Sequence, residues 1–266
     1  MLVLVSISKH YSTDISVAHV DYQIHNQVLE RNFPKRSNEL FQTLEQVSKM
    51  RAISILTCGS LLSHVLSANA AVKRAESYTV SASSISTIAP DSASCSDASY
   101  SSECRTATQA APYISISFLN FGINSFGAQA ALLSLMLYES GSFKYNINHY
   151  PGVPGQGTRN MQSPAYNLKY ADWLATVVAN SGISSQDVVA AQAQGAASVL
   201  ELVEGDMFSF GSAAWFLSTQ CDQGIQQGLA EMTEDGWNAY LSECVGTSPT
   251  EDRTAIWSKA VALGHW

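Results

Sequence analysis

Apolar residues recur at helical spacing along most of the second half of the chain, and one short stretch alternates instead. That stretch, "YISISF" after Pro112, has the period of two expected of a strand. The fourteen residues that soon follow, "FGAQAALLSLMLYE" (126–139), are rich in Ala, Leu and Met and apolar on most sides, which predicts a buried helix ending on Glu139. Past a loop rich in Gly, Pro and Asn (141–164), the pattern predicts helices over 166–180, 185–204 with Ser184 or Ser185 as N-cap, 211–220 and 234–243. In "SPTEDRTAIWSKAVALG" Ser248 stands at an N-cap, Pro249 at the first helical position, Glu251 at the third, and Gly264 at the stop. Trp173, Trp215, Trp237 and Trp257 fall at apolar helical positions and are assigned to the core. The expected fold is mainly α: a single helical domain built around a buried central helix, 126–139.

The front of the chain reads differently. Residues 1–49 are polar, mixed in charge and without a sustained period, as expected of a disordered or untranslated extension ahead of initiation at Met50. Residues 50–70 have a basic start, an apolar centre and the small residues Ala68-Asn69-Ala70, the order of a secretory signal peptide; the apolar centre is short for a membrane span. Residues 71–74 form a short pro-segment with the dibasic pair Lys73-Arg74, and residues 75–104 a Ser-rich, flexible lead-in to a domain over 105–266.

Processing of this kind changes the charge. The whole chain carries −8, but from Ala75 onward 6 Lys and Arg face 17 Asp and Glu, a balance of −11. That excludes nucleic acid and, once the signal is removed, an anionic membrane as partners. It also leaves four cysteines: Cys95, Cys104, Cys221 and Cys244. An even number in a secreted chain suggests two disulfides. Three pairings are possible; the short loop "CSDASYSSEC" makes Cys95–Cys104 the natural first, leaving Cys221–Cys244. With no His near them and no CxxC, no metal site is expected.

Glu139 carries the candidate chemistry. It lies at a helix C-terminus, where the dipole disfavours a negative charge, beside Leu135, Met136 and Tyr138. A carboxyl kept protonated by such surroundings suits a general acid in glycosidic cleavage, where the leaving oxygen must receive a proton. From spacing alone, a solvated residue ending its helix is an equal reading.

The following stretch, "ESGSFKYNINHYPGVPGQGTRNMQSP", resembles the signature of the lysozyme superfamily, especially goose-type lysozymes and lytic transglycosylases. In those families a helix ends in Glu-Ser, an aromatic follows, and a glycine-led segment brings Met-Gln and then Pro. Here the matching residues are Glu139-Ser140, Phe143, Gly157, Met161-Gln162 and Pro164. With "FGSAAWFLSTQC" and "GW" leading to "CVGT", residues 112–263 look like a group of secreted fungal lysozyme-like proteins. The chain departs from the transglycosylase pattern by one more residue between Ser140 and Phe143 and by Arg159-Asn160 in place of small apolar residues. The resemblance implies a lysozyme-like helical fold with Glu139 as the catalytic acid.

The loop offers the candidate binding residues. Arg159, Asn160 and Gln162 have donors and acceptors suited to N-acetylated sugars, and Tyr145, His149 and Tyr150 have faces for stacking. Asp172, Glu201, Glu204 and Asp206 are the candidates for a second carboxylate. The expectation is a secreted, monomeric muramidase that cleaves β-1,4 bonds of peptidoglycan without metal or organic cofactor. The alternatives are a chitosanase or chitinase on the same fold, kept open because an acidic protein is attracted to cationic chitosan, and a non-catalytic wall-binding effector.

Overall fold

A computed structural model describes residues 79–266. The expected extension, signal peptide and pro-segment (1–74) lie outside the described residues. Ten α-helices form among the described residues, and no strand does: α1 (Ala82–Ile88), α2 (Ala107–Phe121), α3 (Phe126–Glu139), α4 (Pro164–Val177), α5 (Ser185–Gln194), α6 (Ala196–Val203), α7 (Asp206–Gln220), α8 (Gln223–Ala230), α9 (Glu234–Ala239) and α10 (Glu251–Val261). The chain is mainly α, as expected.

The central helix is α3. Ser125 caps its start by accepting from the Ala128 amide at 3.3 Å, and every residue from Gly127 to Leu137 is buried. Helices α7, α8 and α10 pack directly on it, and α2 packs on α7. A helix apolar all round has to be enclosed in this way. Gly127 is where α8 comes closest: a Cβ there would lie 2.1 Å from the Leu229 carbonyl oxygen and 2.7 Å from Met232 Cγ. Gly127→Ala is therefore expected to force α3 and α8 apart and destabilise the protein by about 1–3 kcal/mol, read as a lower urea midpoint at unchanged slope.

Several expectations are corrected. The "YISISF" alternation belongs to α2, not to a strand. Thr106 and Gln109 close a capping box at its start, and Ser115 and Ser117 turn their hydroxyls back to the Ala111 and Ile114 carbonyls at 2.8 Å. Serines satisfied by their own helix can sit on a buried face. Over 79–104, the expected flexible lead-in is instead part of the core: Ser81 caps α1, the Val80 amide donates to Ser115 Oγ at 2.9 Å, and Val80, Ile85 and Ile88 are buried.

The expected helix over 185–204 breaks at Gly195 (φ +121) into α5 and α6. The helix over 211–220 begins earlier, at Asp206, and that over 234–243 passes after Ala239 into a wider π-turn, Tyr240–Val245. The capping box at Ser248 does not form. The Ser248 carbonyl takes the Thr250 amide at 2.9 Å and Arg253 Nη1 at 3.3 Å, so a tight turn replaces the first helical turn and α10 starts at Glu251.

Trp215, Trp237 and Trp257 are buried as expected, the last two stacked at 5.6 Å, while Trp173 is half-buried against Phe121. Both cysteine pairs stand at bonding distance, with Cα separations of 5.9 Å for Cys95–Cys104 and 5.3 Å for Cys221–Cys244.

Candidate active site

Glu139 ends α3, and the turn that follows is left-handed over three residues: Gly141 (φ +58), Ser142 (φ +60) and Phe143 (φ +67). Side chains at the last two positions make this a strained exit, so surrounding contacts must hold it. Ser140 supplies two: its hydroxyl donates to the Met136 carbonyl at 2.6 Å and accepts from the Phe143 amide at 2.9 Å. Phe143 is wholly buried, edge-on to Phe210 at 5.3 Å. The chain thus leaves the core abruptly and delivers Glu139 to the surface edge with its side chain 20% exposed.

The surroundings of Glu139 differ from those expected. Its Oε1 accepts from Arg253 of α10 twice, from Nη2 at 2.9 Å and Nε at 3.2 Å. That guanidinium lies 4.4 Å over the Tyr138 ring and also reaches the Ser248 carbonyl. The carboxylate therefore has a counter-ion where the sequence suggested only apolar neighbours. Oε2 takes no hydrogen bond from any described residue.

Arg159 organises the loop beyond this turn. Its side chain has no exposed surface; Nη1 donates to the Phe143 and Tyr145 carbonyls at 3.0 Å each, and Nη2 to the Glu103 carbonyl at 2.6 Å. Nη2 also stands 3.7 Å from Asp206, which Arg105 pairs at 2.7 Å. Burial pulls the Arg159 guanidinium down to about 10 against the attraction of Asp206. Arg159 is thus corrected from a substrate contact to an internal strut.

Gln162 is likewise turned inward, 6% exposed, with Nε2 donating to Asn167 Oδ1 at 2.7 Å. Asn160 is half-buried, its Oδ1 within reach of the Thr158 and Ser212 hydroxyls at 2.8 and 2.6 Å. The loop folds back on itself through isolated antiparallel bridges, Ile147 to Gly157 and Gly157 to Gln162. Gly157 is needed there, since a Cβ would lie 2.6 Å from the Asn146 carbonyl oxygen and 2.7 Å from Leu200.

The aromatic residues form a group of their own. Tyr145 rests on Gly141, two residues past Glu139, and meets Tyr150 edge-on at 6.4 Å. His149 stacks on Tyr100 at 3.5 Å and meets Glu103 Oε1 at 2.7 Å, while Glu103 Oε2 accepts the Asn146 and Ile147 amides. A hydrogen bond to Tyr150 and burial raise the Tyr100 hydroxyl. One face of His149 is therefore already occupied, and Tyr150, 73% exposed, is the ring left open. Tyr100 and Glu103 belong to the segment between Cys95 and Cys104. The disulfide was the available signal that this segment is part of the fold; nothing in the sequence linked Arg253 to Glu139 across 114 residues.

The second-carboxylate candidates do not gather at Glu139. Asp172 is exposed on α4, and Asp206 is held by Arg105. Glu201 and Glu204 line a cavity of 160 Å³ between the glycine loop and α6, with Pro154 and Leu200 among its walls. Desolvation, then Glu201 and Glu103, push the Glu204 carboxyl up. No group of three potential metal ligands occurs among the described residues, and no described helix is long and apolar enough to cross a membrane.

No family model and no solved structure matches the chain. One curated protein that does match is described as a bifunctional dioxygenase–epoxy alcohol synthase of Fusarium oxysporum (strain Fo5176), 45% identical over 141 residues. Those residues are 53% of this chain and 11% of that protein, so the chain spans a small part of its relative.

Proposed function

We propose that the chain is a secreted glycoside hydrolase of amino-sugar polymers, a muramidase, with Glu139 as its general acid. The observation that carries this reading is the carboxylate at the end of the most enclosed helix, brought to the surface edge by a strained turn with Oε2 free. Strain of this kind gathers at functional sites. The lysozyme-like motif over Glu139-Ser140, Phe143 and Met161-Gln162 supports the same residue. In the reaction, protonated Glu139 gives its proton to the glycosidic oxygen as the bond from the anomeric carbon breaks. Water adds its hydroxyl to that carbon, and its remaining proton passes to solvent or back to Glu139.

Tyr150 is the open stacking surface beside this step, supported by Tyr145 and Tyr100. Two bonded cysteine pairs favour an oxidising compartment and support secretion. The activities named for the Fusarium protein belong to a chain of which the match is 11%.

A second reading is favoured by one observation. The Arg253 pairing gives Glu139 a counter-ion, which suits a wall-binding protein better than a proton donor. The test is to incubate the protein from residue 75 onward with peptidoglycan, chitosan and chitin at pH 4 to 8 and identify products by mass. Muropeptides with a free reducing end are the expected result. Intact polymers throughout would leave only the binding reading.

A further inference from the structure

Arg253 has no part in the proton transfer itself, yet it holds the proposed acid. Its guanidinium makes two hydrogen bonds to the oxygen of Glu139 opposite the free one, and it is 15% exposed, so it lies at the same surface edge. Two further contacts and one absence govern how it moves. The ring of Tyr138 supports its flat face at 4.4 Å, the Ser248 carbonyl holds Nη1 at 3.3 Å, and no carboxylate other than Glu139 pairs with it among the described residues. Both bonds fall on Oε1 and tie the side chain of Glu139 to α10, so parting of the pair would free both groups together. The guanidinium then needs another anion, since a planar fork that has lost its carboxylate is best satisfied by a second carboxylate.

We propose that Arg253 is a specificity latch: a carboxylate on the substrate replaces Glu139 as its partner, and Glu139, released, takes a proton from solvent and becomes the acid. This inference rests on the glycosidase reading and refines its substrate class to amino-sugar glycans that bear carboxylates. The latch acts locally. At longer range the acidic surface repels an anionic polymer, and the other cations near the site, Lys144 and Arg105, are already paired with Asp97 and Asp206. Discrimination in favour of a carboxylate therefore falls to Arg253, the one guanidinium here whose partner is the proposed acid itself.

The experiment compares two substrates: peptidoglycan glycan strands with free carboxylates, and the same strands with those carboxylates amidated. The wild-type protein from residue 75 onward is expected to favour the first by about 10-fold or more in kcat/KM, the size of one charge-assisted contact. Arg253→Met keeps the packing over Tyr138 but has no donors; it should bring the two rates together, raising that on amidated strands and lowering that on free ones. Arg253→Lys should keep part of the preference. Equal losses on both substrates in Arg253→Met, at an unchanged melting temperature, would make Arg253 merely structural and overturn the latch. A wild type that cleaves both strands alike also overturns it while leaving the glycosidase reading intact. Cleavage of neither removes both.

Discussion

Glu139→Gln is expected to fold, to bind glycan and to lose turnover by at least about 10²-fold, the lower end of what a positioned acid contributes. Glutamine preserves the size of the side chain and an acceptor for Arg253, so the pairing loses its charge and not its geometry. With side chains only 15% and 20% exposed, the pair is mostly enclosed, so replacing its ionic hydrogen bonds by neutral ones should cost about 1–2 kcal/mol and lower the melting temperature by a few degrees while the fold is kept. The matching control is Glu204→Gln. Glu204 is the carboxyl whose burial and acidic neighbours favour its protonated form, and on that ground alone it would be the rival donor. It lines a different cavity, whose walls do not include Glu139. The two variants therefore separate the readings: loss in Glu139→Gln with near-normal rates in Glu204→Gln supports the helix-end acid. The reverse result would move the chemistry to the cavity beside α6.

The helix that ends in Glu139 was legible because its whole signal is local: fourteen residues apolar on every side are enclosed wherever they occur. The same enclosure explains what was misread in α2. There the Ile–Ser alternation imitates a strand, and only the satisfaction of Ser115 and Ser117 by their own carbonyls makes a buried helix possible. The break at Gly195 was invisible because apolar spacing runs unbroken through it. The segment over 79–104 looks featureless because only three large aliphatic residues stand among many serines, yet Val80, Ile85 and Ile88, with Ala89, dock it on the core.

At the site, the sequence led to the loop and to Glu139 but not to the roles within the loop. Donors suited to a sugar are equally suited to backbone carbonyls, and which they meet depends on burial. Arg253, Tyr100 and Glu103 come from segments distant in the chain; the contact of the first with Glu139 and of the other two with the loop is a property of the packing.

Arg159 is where these two kinds of role make opposite predictions. As a substrate contact it would be dispensable for folding, and its loss would appear as a raised KM. The geometry points to the other outcome. Its two terminal nitrogens hold three carbonyls, from Phe143, Tyr145 and Glu103, and no solvent reaches the site to replace them. Arg159→Leu leaves these acceptors unpaired and removes a buried cation from beside Asp206, a change expected to cost about 3–5 kcal/mol. Lysine offers no rescue at full strength, because one ammonium cannot span carbonyls on both the disulfide loop and the turn after α3; Arg159→Lys should still lose about 1–3 kcal/mol. Urea unfolding measures both losses. Amide exchange adds the location: the Arg105 amide, bonded to the Phe143 carbonyl, and the Asn146 amide, bonded to Glu103, should exchange faster in both variants. If Arg159→Leu unfolds within about 1 kcal/mol of wild type, the strut is not what holds this loop, and the residue returns to the list of sugar contacts.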